Sequence, residues 1–208
     1  MHLTMTAHVV NLIRAANFEL RCINSIRHYL SVQATKTLVS AFVLSRLNYC
    51  NFLLSGCPQH LLNRLQKVQN SAADLILKAS KTDHITPHLR TLHWLSVDAR
   101  IKYKLCSLCF GVITSTGPVY LSDLLKIYTL SRQLRSSAEI RTLCIPSVNT
   151  KSYGERSFSY NGPTLWNTLP KYIRFSQFLP LDQHSRSTFF QHRGIVLIEC
   201  VLSSCATE

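Results

Sequence analysis

The spacing of apolar residues in the first third of the chain predicts packed helices. One face of a helix ending near residue 78 is formed by five apolar residues at steps of four and three: Leu61, Leu65, Val68, Ala72 and Leu75. A strand would place these side chains on both of its faces, so the spacing favours a helix. Residues 38–47 are apolar almost all round, which predicts a helix covered on more than one side. Gly56 and Pro58 suit the break between two such helices, so we expect an antiparallel pair.

Further helical patterns flank this pair. Residues 6–29 carry apolar positions at helical spacing, which gives three helices by residue 78. Thr86 as a cap and Pro87 in the first turn predict a short helix over residues 87–92. Another short helix is predicted over residues 120–126.

A longer helix is predicted from Val97 to Ile113, with Ser96 as its N-terminal cap. Its apolar positions lie on one face and its basic residues on the outward face: Arg100, Lys102 and Lys104.

The composition changes near residue 129, where Ser, Thr, Arg, Pro and aromatic residues begin to dominate. Residues 140–145 and 152–159 are candidate short strands, and residues 163–173 predict an irregular short helix that carries Trp166. We therefore expect a mainly α protein with a small, irregular α+β segment near the C-terminus.

Four segments follow from these patterns. They are a helical bundle over residues 1–78, an additional helical segment over 79–128, the α+β segment over 129–194 and a divergent apolar tail over 195–208.

The charge balance points to a polyanionic partner. The chain has 23 Lys and Arg against 10 Asp and Glu, a net charge of +13, and the basic residues form no continuous run. Spread in this way, they favour folded basic surfaces over a basic tail, and nucleic acid is the first candidate partner. A basic protein without such a partner is the alternative.

The candidate phosphate contacts are basic residues on predicted helix faces. Arg14, Arg21 and Arg27 lie on neighbouring faces of the first helix. The full set of nucleic-acid-binding candidates is Arg14, Arg21, Arg46, Arg64, Lys67, Arg100, Lys102 and Lys104. An ordinary solvated helix face explains the same residues equally well.

No catalytic constellation is visible in the sequence. The acidic residues never occur as neighbours, and the phosphate-binding glycine loop and the hydrolase motifs are absent. A zinc site of His84, His88, His93, Cys106 and Cys109 is a third reading, but the single CxxC lies in an apolar helix without a second pair. We therefore expect no metal, no cofactor and structural thiols.

The chain shows no secretory signal, and its longest uncharged stretch, residues 105–122, contains Gly and Pro. Lipid would leave that backbone unsatisfied, so no membrane span is predicted. With reduced cysteines, these observations predict an intracellular protein, cytoplasmic or nuclear.

A series of phrases resembles a known family. They are LTMTAHV at 3–9, SRLNYCN at 45–51, NRLQKVQNSAADLI at 63–76, DHITPHL at 83–89, LHWLSVDARIKYK at 92–104, GPVYLSDLL at 117–125, SRQLRSS at 131–137, YGERSFS at 153–159 and GPTLWNTLPKYIR at 162–174. In this order and at this spacing, over residues 3–178, they resemble the C-terminal part of the reverse transcriptases of non-LTR retrotransposons, the LINE elements of the CR1, L2 and jockey-like kind.

The resemblance implies a role for the helices. In that family this region looks like the thumb and the segment beyond it, so residues 1–78 would form a thumb-like bundle that grips a template–primer duplex. The polymerase palm and the endonuclease lie upstream in the family, and no catalytic residue carries over to this chain. The resemblance thus implies a nucleic-acid-binding fragment of an RNA-directed DNA polymerase, inactive alone, with a palm domain in trans as a further partner. A non-catalytic helical interaction or structural protein is the alternative.

Overall fold

The computed structural model describes residues 5–79, 83–128, 142–150, 153–170 and 174. These residues are mainly helical, as the sequence predicts. The chain divides after Ile101 into two compact units. The predicted tail, residues 195–208, lies outside the described residues, as does most of the segment over 171–194.

Three long helical stretches build the first unit. Helix α1 runs over Met5–Ser25. The second stretch is α2 over Val32–Val39, a π-helical segment over Ser40–Leu44 and α3 over Ser45–Asn48. Helix α4 runs over Gln59–Leu77, and it packs against both α1 and α2.

Local sequence explains where these helices begin and end. The Ser31 hydroxyl accepts a hydrogen bond from the Ala34 amide and so caps α2. Gly56 has φ 69°, a left-handed conformation that glycine adopts without strain, in the turn before α4. Pro58 precedes α4 as its N-cap, and Lys78 ends the helix in the left-handed region. The predicted break between the central helices is therefore present.

The predicted apolar face of α4 is almost completely buried. Leu61, Leu65, Val68 and Ala72 are buried, whereas Leu75 is only partly so. Ile76 takes the place of Leu75 and is fully buried, because the face drifts slightly around the helix.

The second helical stretch is not covered all round, contrary to its composition. Val39, Val43, Leu44 and Leu47 are buried, but Phe42 is 47% exposed. The apolar pattern alone does not indicate which side of such a helix meets the core.

Helices α5 and α6 follow α4 in the chain. Helix α5 runs over Ile85–Thr91 with His84 as N-cap, so it begins earlier than predicted and Pro87 is its third residue. Proline is tolerated there because the first-turn amides have no intrahelical acceptor. Helix α6 runs over Val97–Ile113 as predicted, and the Ser96 hydroxyl accepts from the Ala99 amide at 3.3 Å.

In the second unit, α7 covers only Val119–Ser122 of the helix predicted over residues 120–126, and α8 runs over Phe158–Thr168. The core of the second unit contains a fully buried Trp166 together with the thiols of Cys106 and Cys109. Trp166 is thus a core residue of this unit.

The described residues of this unit contain a single antiparallel bridge, between Ile127 and Leu143, in place of the predicted strands. Asn167 fixes Leu143 instead: its Oδ1 accepts from the Leu143 amide and its Nδ2 donates to the Leu143 carbonyl, at 3.0 and 2.9 Å. Residues 153–157 form turns, and Phe158 and Ser159 already belong to α8. A side-chain amide has thus replaced the neighbouring strand that Leu143 would need.

Candidate nucleic-acid interface

The C-terminal ends of α1 and α4 lie side by side in the first unit. Arg27, just beyond α1, is buried and donates to the carbonyl oxygens of Leu75 and Ile76, both at 2.9 Å. It also donates to the Leu30 carbonyl at 2.8 Å. The last carbonyls of α4 have no partner within their own helix and carry its negative dipole end, so a guanidinium satisfies both.

This arrangement corrects the prediction for Arg27. The sequence places it with Arg14 and Arg21 as a candidate phosphate contact, but its guanidinium is committed to backbone carbonyls. Its role is to hold the ends of two helices together.

A groove of about 740 Å³ runs between the C-terminal turns of α1 and α4, and we call it the α1–α4 groove. Three cationic side chains and one carboxylate line it: Arg21, Arg27, Lys78 and Asp74. Asn17, Asn24 and Ser71 add amide and hydroxyl groups, and Leu20 and Leu75 add apolar surface. The groove is therefore open and net positive, with both polar and apolar walls.

Two rows of polar residues lead away from the groove along the helices. Asn17, Arg21 and Asn24 on α1 continue back to Arg14, at steps of three and four. Ser71 and Asp74 on α4 lie two turns beyond Arg64 and Lys67. Arg21, Ser71 and Asp74 line the groove, so Arg14, Arg64 and Lys67 lie two turns before groove residues, on the same faces of their helices.

Arg14, Arg21, Arg64 and Lys67 are all exposed. The structure thus gathers four of the eight predicted residues on one side of the first unit. The sequence reasoning overlooked Lys78 and the two asparagines, although Arg64, Lys67, Ser71, Asp74 and Lys78 follow at steps of three and four, which was the available signal.

Arg46 is engaged within the protein. It donates from Nη2 to the Glu19 carboxylate at 3.1 Å, and this ion pair joins α3 to α1. Arg46 is exposed, so the pair contributes little stability. It neutralises the charge that was predicted to face a phosphate.

Arg100 has a structural environment, in contrast to the outward position predicted for it. Its Nε donates to the Leu95 carbonyl and its Nη1 to Asn48 Oδ1, both at 2.9 Å. The guanidinium carbon lies 5.9 Å from the ring centre of Trp94, a cation–π distance. Burial lowers the pKa of Arg100 from its usual range, although the group stays charged.

The N-terminal end of α6 is held by two glutamines of α4. Gln66 Oε1 accepts from the Val97 amide at 2.8 Å, and Gln69 Nε2 donates to the Leu95 carbonyl at 2.7 Å. Gln69 is completely buried. These polar residues sit inside the apolar pattern of α4 because the turn before α6 presents unpaired backbone groups there.

Lys102 and Lys104 belong to the second unit. Lys104 is exposed and Lys102 is partly buried. The α1–α4 groove lies in the first unit, so these two lysines do not line it.

The zinc alternative finds no support in the part of the chain that is described. No group of three His, Cys, Asp or Glu residues there could hold a metal ion. Cys106 and Cys109 are both buried, and burial raises the pKa of the Cys106 thiol to about 12. Burial, and then the proximity of Cys106, raises the pKa of Cys109 as well. Both thiols lie in the apolar core of the second unit.

The described residues contain no helix that is long and apolar enough to cross a membrane. Comparisons with known proteins give no match: no family model, no curated protein and no solved structure is significantly similar to this chain.

Proposed function

We propose that this chain is the C-terminal part of a non-LTR retrotransposon reverse transcriptase and that it binds a nucleic-acid duplex. In this proposal α1, the α2–α3 stretch and α4 form the thumb-like bundle. The additional helical segment (79–128) and the α+β segment (129–194) follow it in the chain. The polymerase palm acts in trans or in the longer parent protein, inside the cell. In this proposal the fragment binds the duplex and does not catalyse a reaction.

One observation carries the proposal: Arg14, Arg64 and Lys67 are exposed on two adjacent helices, two turns before residues that line a net-positive groove. None of the three makes a side-chain hydrogen bond or ion pair within the described residues. Their charges are therefore available to phosphates, which dominate affinity in sequence-independent binding. The ordered series of family phrases supports the same reading.

Salt dependence tests the proposal. Binding of a labelled DNA duplex to the full chain is measured by fluorescence anisotropy over a range of KCl concentrations. We expect little sequence preference and a shallow but clear decrease of affinity with salt, since a thumb makes few phosphate contacts. Each neutralised phosphate contributes roughly −0.9 to the slope of log affinity against log salt. Replacing Arg14, Arg64 and Lys67 together by Ala should flatten the slope by roughly 0.9 for each phosphate that the variant no longer neutralises.

A matched variant provides the control. Replacing Lys36, Arg90 and Lys126 by Ala removes the same net charge elsewhere while leaving those three residues in place. Circular dichroism should show the same helix content in both variants. Equal reductions of affinity in the two variants would mean that overall charge, and not this surface, attracts the duplex. Binding that ignores salt would favour a helical protein without a nucleic-acid role.

A further inference from the structure

The α1–α4 groove contains hydrogen-bond donors that have no acceptor among the residues that the structure describes. Arg21 donates its Nε–H to the Asn17 carbonyl at 3.3 Å, which leaves its two terminal NH₂ groups without a described acceptor. The Lys78 ammonium group and the side-chain amides of Asn17 and Asn24 likewise make no hydrogen bond within the described residues. Within the described part of the chain, the groove is thus rich in donors without an acceptor.

The groove's acceptors are fewer. Ser71 donates its hydroxyl to the Lys67 carbonyl, and the Asp74 carboxylate lies 3.6 Å from His88 Nδ1 on the α5 side. Donors and positive charge therefore outnumber acceptors and negative charge. A ligand that complements this arrangement is an anion with several acceptor oxygens, and a fork of Arg N–H groups matches phosphate geometry.

The volume and lining of the groove indicate a ligand larger than a phosphate ion. Its volume of about 740 Å³ falls in the range of small-molecule sites and far exceeds the needs of one phosphate ion. Leu20, Leu75 and Ala79 offer apolar surface against which a base or sugar can lie, and the two asparagine amides can pair with polar edges.

We propose that the α1–α4 groove binds one nucleotide unit, with its phosphate held by Arg21 and Lys78. The phosphate has two sources, the terminal group of a free mononucleotide or a phosphodiester of a single strand. The second source rests on the proposed function, whereas the first does not.

Calorimetric titration of the full chain tests the inference. The probes are adenosine 5′-monophosphate, adenosine, and a short single-stranded oligonucleotide without terminal phosphates. The groove variant is Arg21→Gln with Lys78→Asn; Asn is chosen because it tolerates the left-handed conformation at residue 78. Arg90→Gln with Lys126→Gln removes two exposed charges elsewhere and is the control.

We expect the groove variant, and not the control, to bind a phosphate-bearing probe about tenfold or more weakly, since two charge-assisted contacts are removed. Weaker binding of the mononucleotide identifies a free-nucleotide site, and weaker binding of the oligonucleotide alone identifies a strand site. Asp74→Asn should tighten binding in either case, because it removes a negative charge from beside the anion.

Two results would overturn the inference: adenosine binding as tightly as its monophosphate, or the groove variant keeping full affinity for both phosphate-bearing probes. Since Arg14, Arg64 and Lys67 are unchanged in the groove variant, full affinity of that variant for both phosphate-bearing probes, with duplex binding that fails in the Ala triple variant, would reject this inference and leave the proposed function intact. If the groove binds the mononucleotide but the protein does not bind duplex DNA, the inference stands and the proposed function is rejected.

Discussion

The two units of the chain are stabilised in different ways. In the first unit, helices meet through apolar faces such as that of α4, and polar side chains serve mainly at helix ends, as Arg27 does for α4. In the second unit, Asn167 pins the backbone of Leu143, and α8 approaches α6 so closely at Gly162 that an added Cβ would lie 2.9 Å from Cys109 Sγ. The first unit depends on periodic patterns, and the second on individual contacts.

The two units also differ in where their charged and reactive groups lie. The periodic helices of the first unit leave whole faces free, so basic residues can accumulate in rows beside the α1–α4 groove. The second unit places its reactive atoms inside: Cys106 and Cys109 lie with Trp166 in the core. We therefore look for binding in the first unit and treat the second unit's thiols as structural.

The largest expected effect is in the helical faces of the first unit. Leu65 is 1% exposed on the buried face of α4. Leu65→Asp removes its apolar burial and places an unpaired charge in the core, so it should cost more than about 4 kcal/mol and unfold the unit. Thermal denaturation followed by circular dichroism measures this. The control is Asn63→Asp on the exposed side of the same helix, which should melt like the parent. A Leu65→Asp variant with parental stability would contradict the packing of α4.

Arg27 tests the polar part of the same unit. Arg27→Met keeps much of the side chain's length but removes every donor to the carbonyls of Leu30, Leu75 and Ile76. Buried carbonyls left without partners should cost about 3 kcal/mol in the free energy of unfolding. Urea denaturation of Arg27→Met and of Arg14→Met, an exposed arginine, separates this effect from the removal of charge. Equal stability of the two variants would mean that Arg27 does not cap α4.

Gly162 is the corresponding test for the second unit. Gly162→Ala gains helix propensity of about 1 kcal/mol but forces a Cβ against buried Cys109, and overpacking costs about 1–3 kcal/mol. We expect net destabilisation of about 1 kcal/mol. In a Trp94→Phe background, Trp166 is the remaining tryptophan and its fluorescence follows the second unit. Cys109→Ala should relieve the clash, so the double variant should be destabilised by less than the sum of the two single variants. Additive effects would show that the two residues do not touch.

The same contrast explains what the sequence could predict. The helix Val97–Ile113 and the buried face of α4 follow from spacing and caps, which act within a few residues of chain. The bond from Asn167 to Leu143 joins residues 24 apart, and no local pattern encodes it. The candidate nucleic-acid interface could be predicted only in part. Its rows of basic residues are periodic in the sequence, but Arg27 and Arg100 are withdrawn from solvent by backbone carbonyls that the fold places beside them.

The smallest expected effect is a dependence of stability on alkaline pH that arises in the second unit. Burial raises the pKa of Cys106 from its ordinary 9.0 to about 12, and that of Cys109 rises for the same reason. Well below pH 9 both thiols are protonated whether the chain is folded or unfolded, so they give no dependence, and the thiols of the unfolded chain begin to ionise as the pH approaches 9. Between pH 9 and about 12 only the unfolded chain ionises at Cys106, which lowers stability by up to about 1.4 kcal/mol per pH unit. Near pH 9.5 the decrease should be only about 1 kcal/mol for each thiol.

In the Trp94→Phe background, Cys106→Ala should reduce the alkaline slope, whereas Cys22→Ala, at an exposed thiol of the first unit, should not alter it. An unchanged slope in Cys106→Ala would mean that this thiol ionises as readily in the folded chain as in the unfolded one.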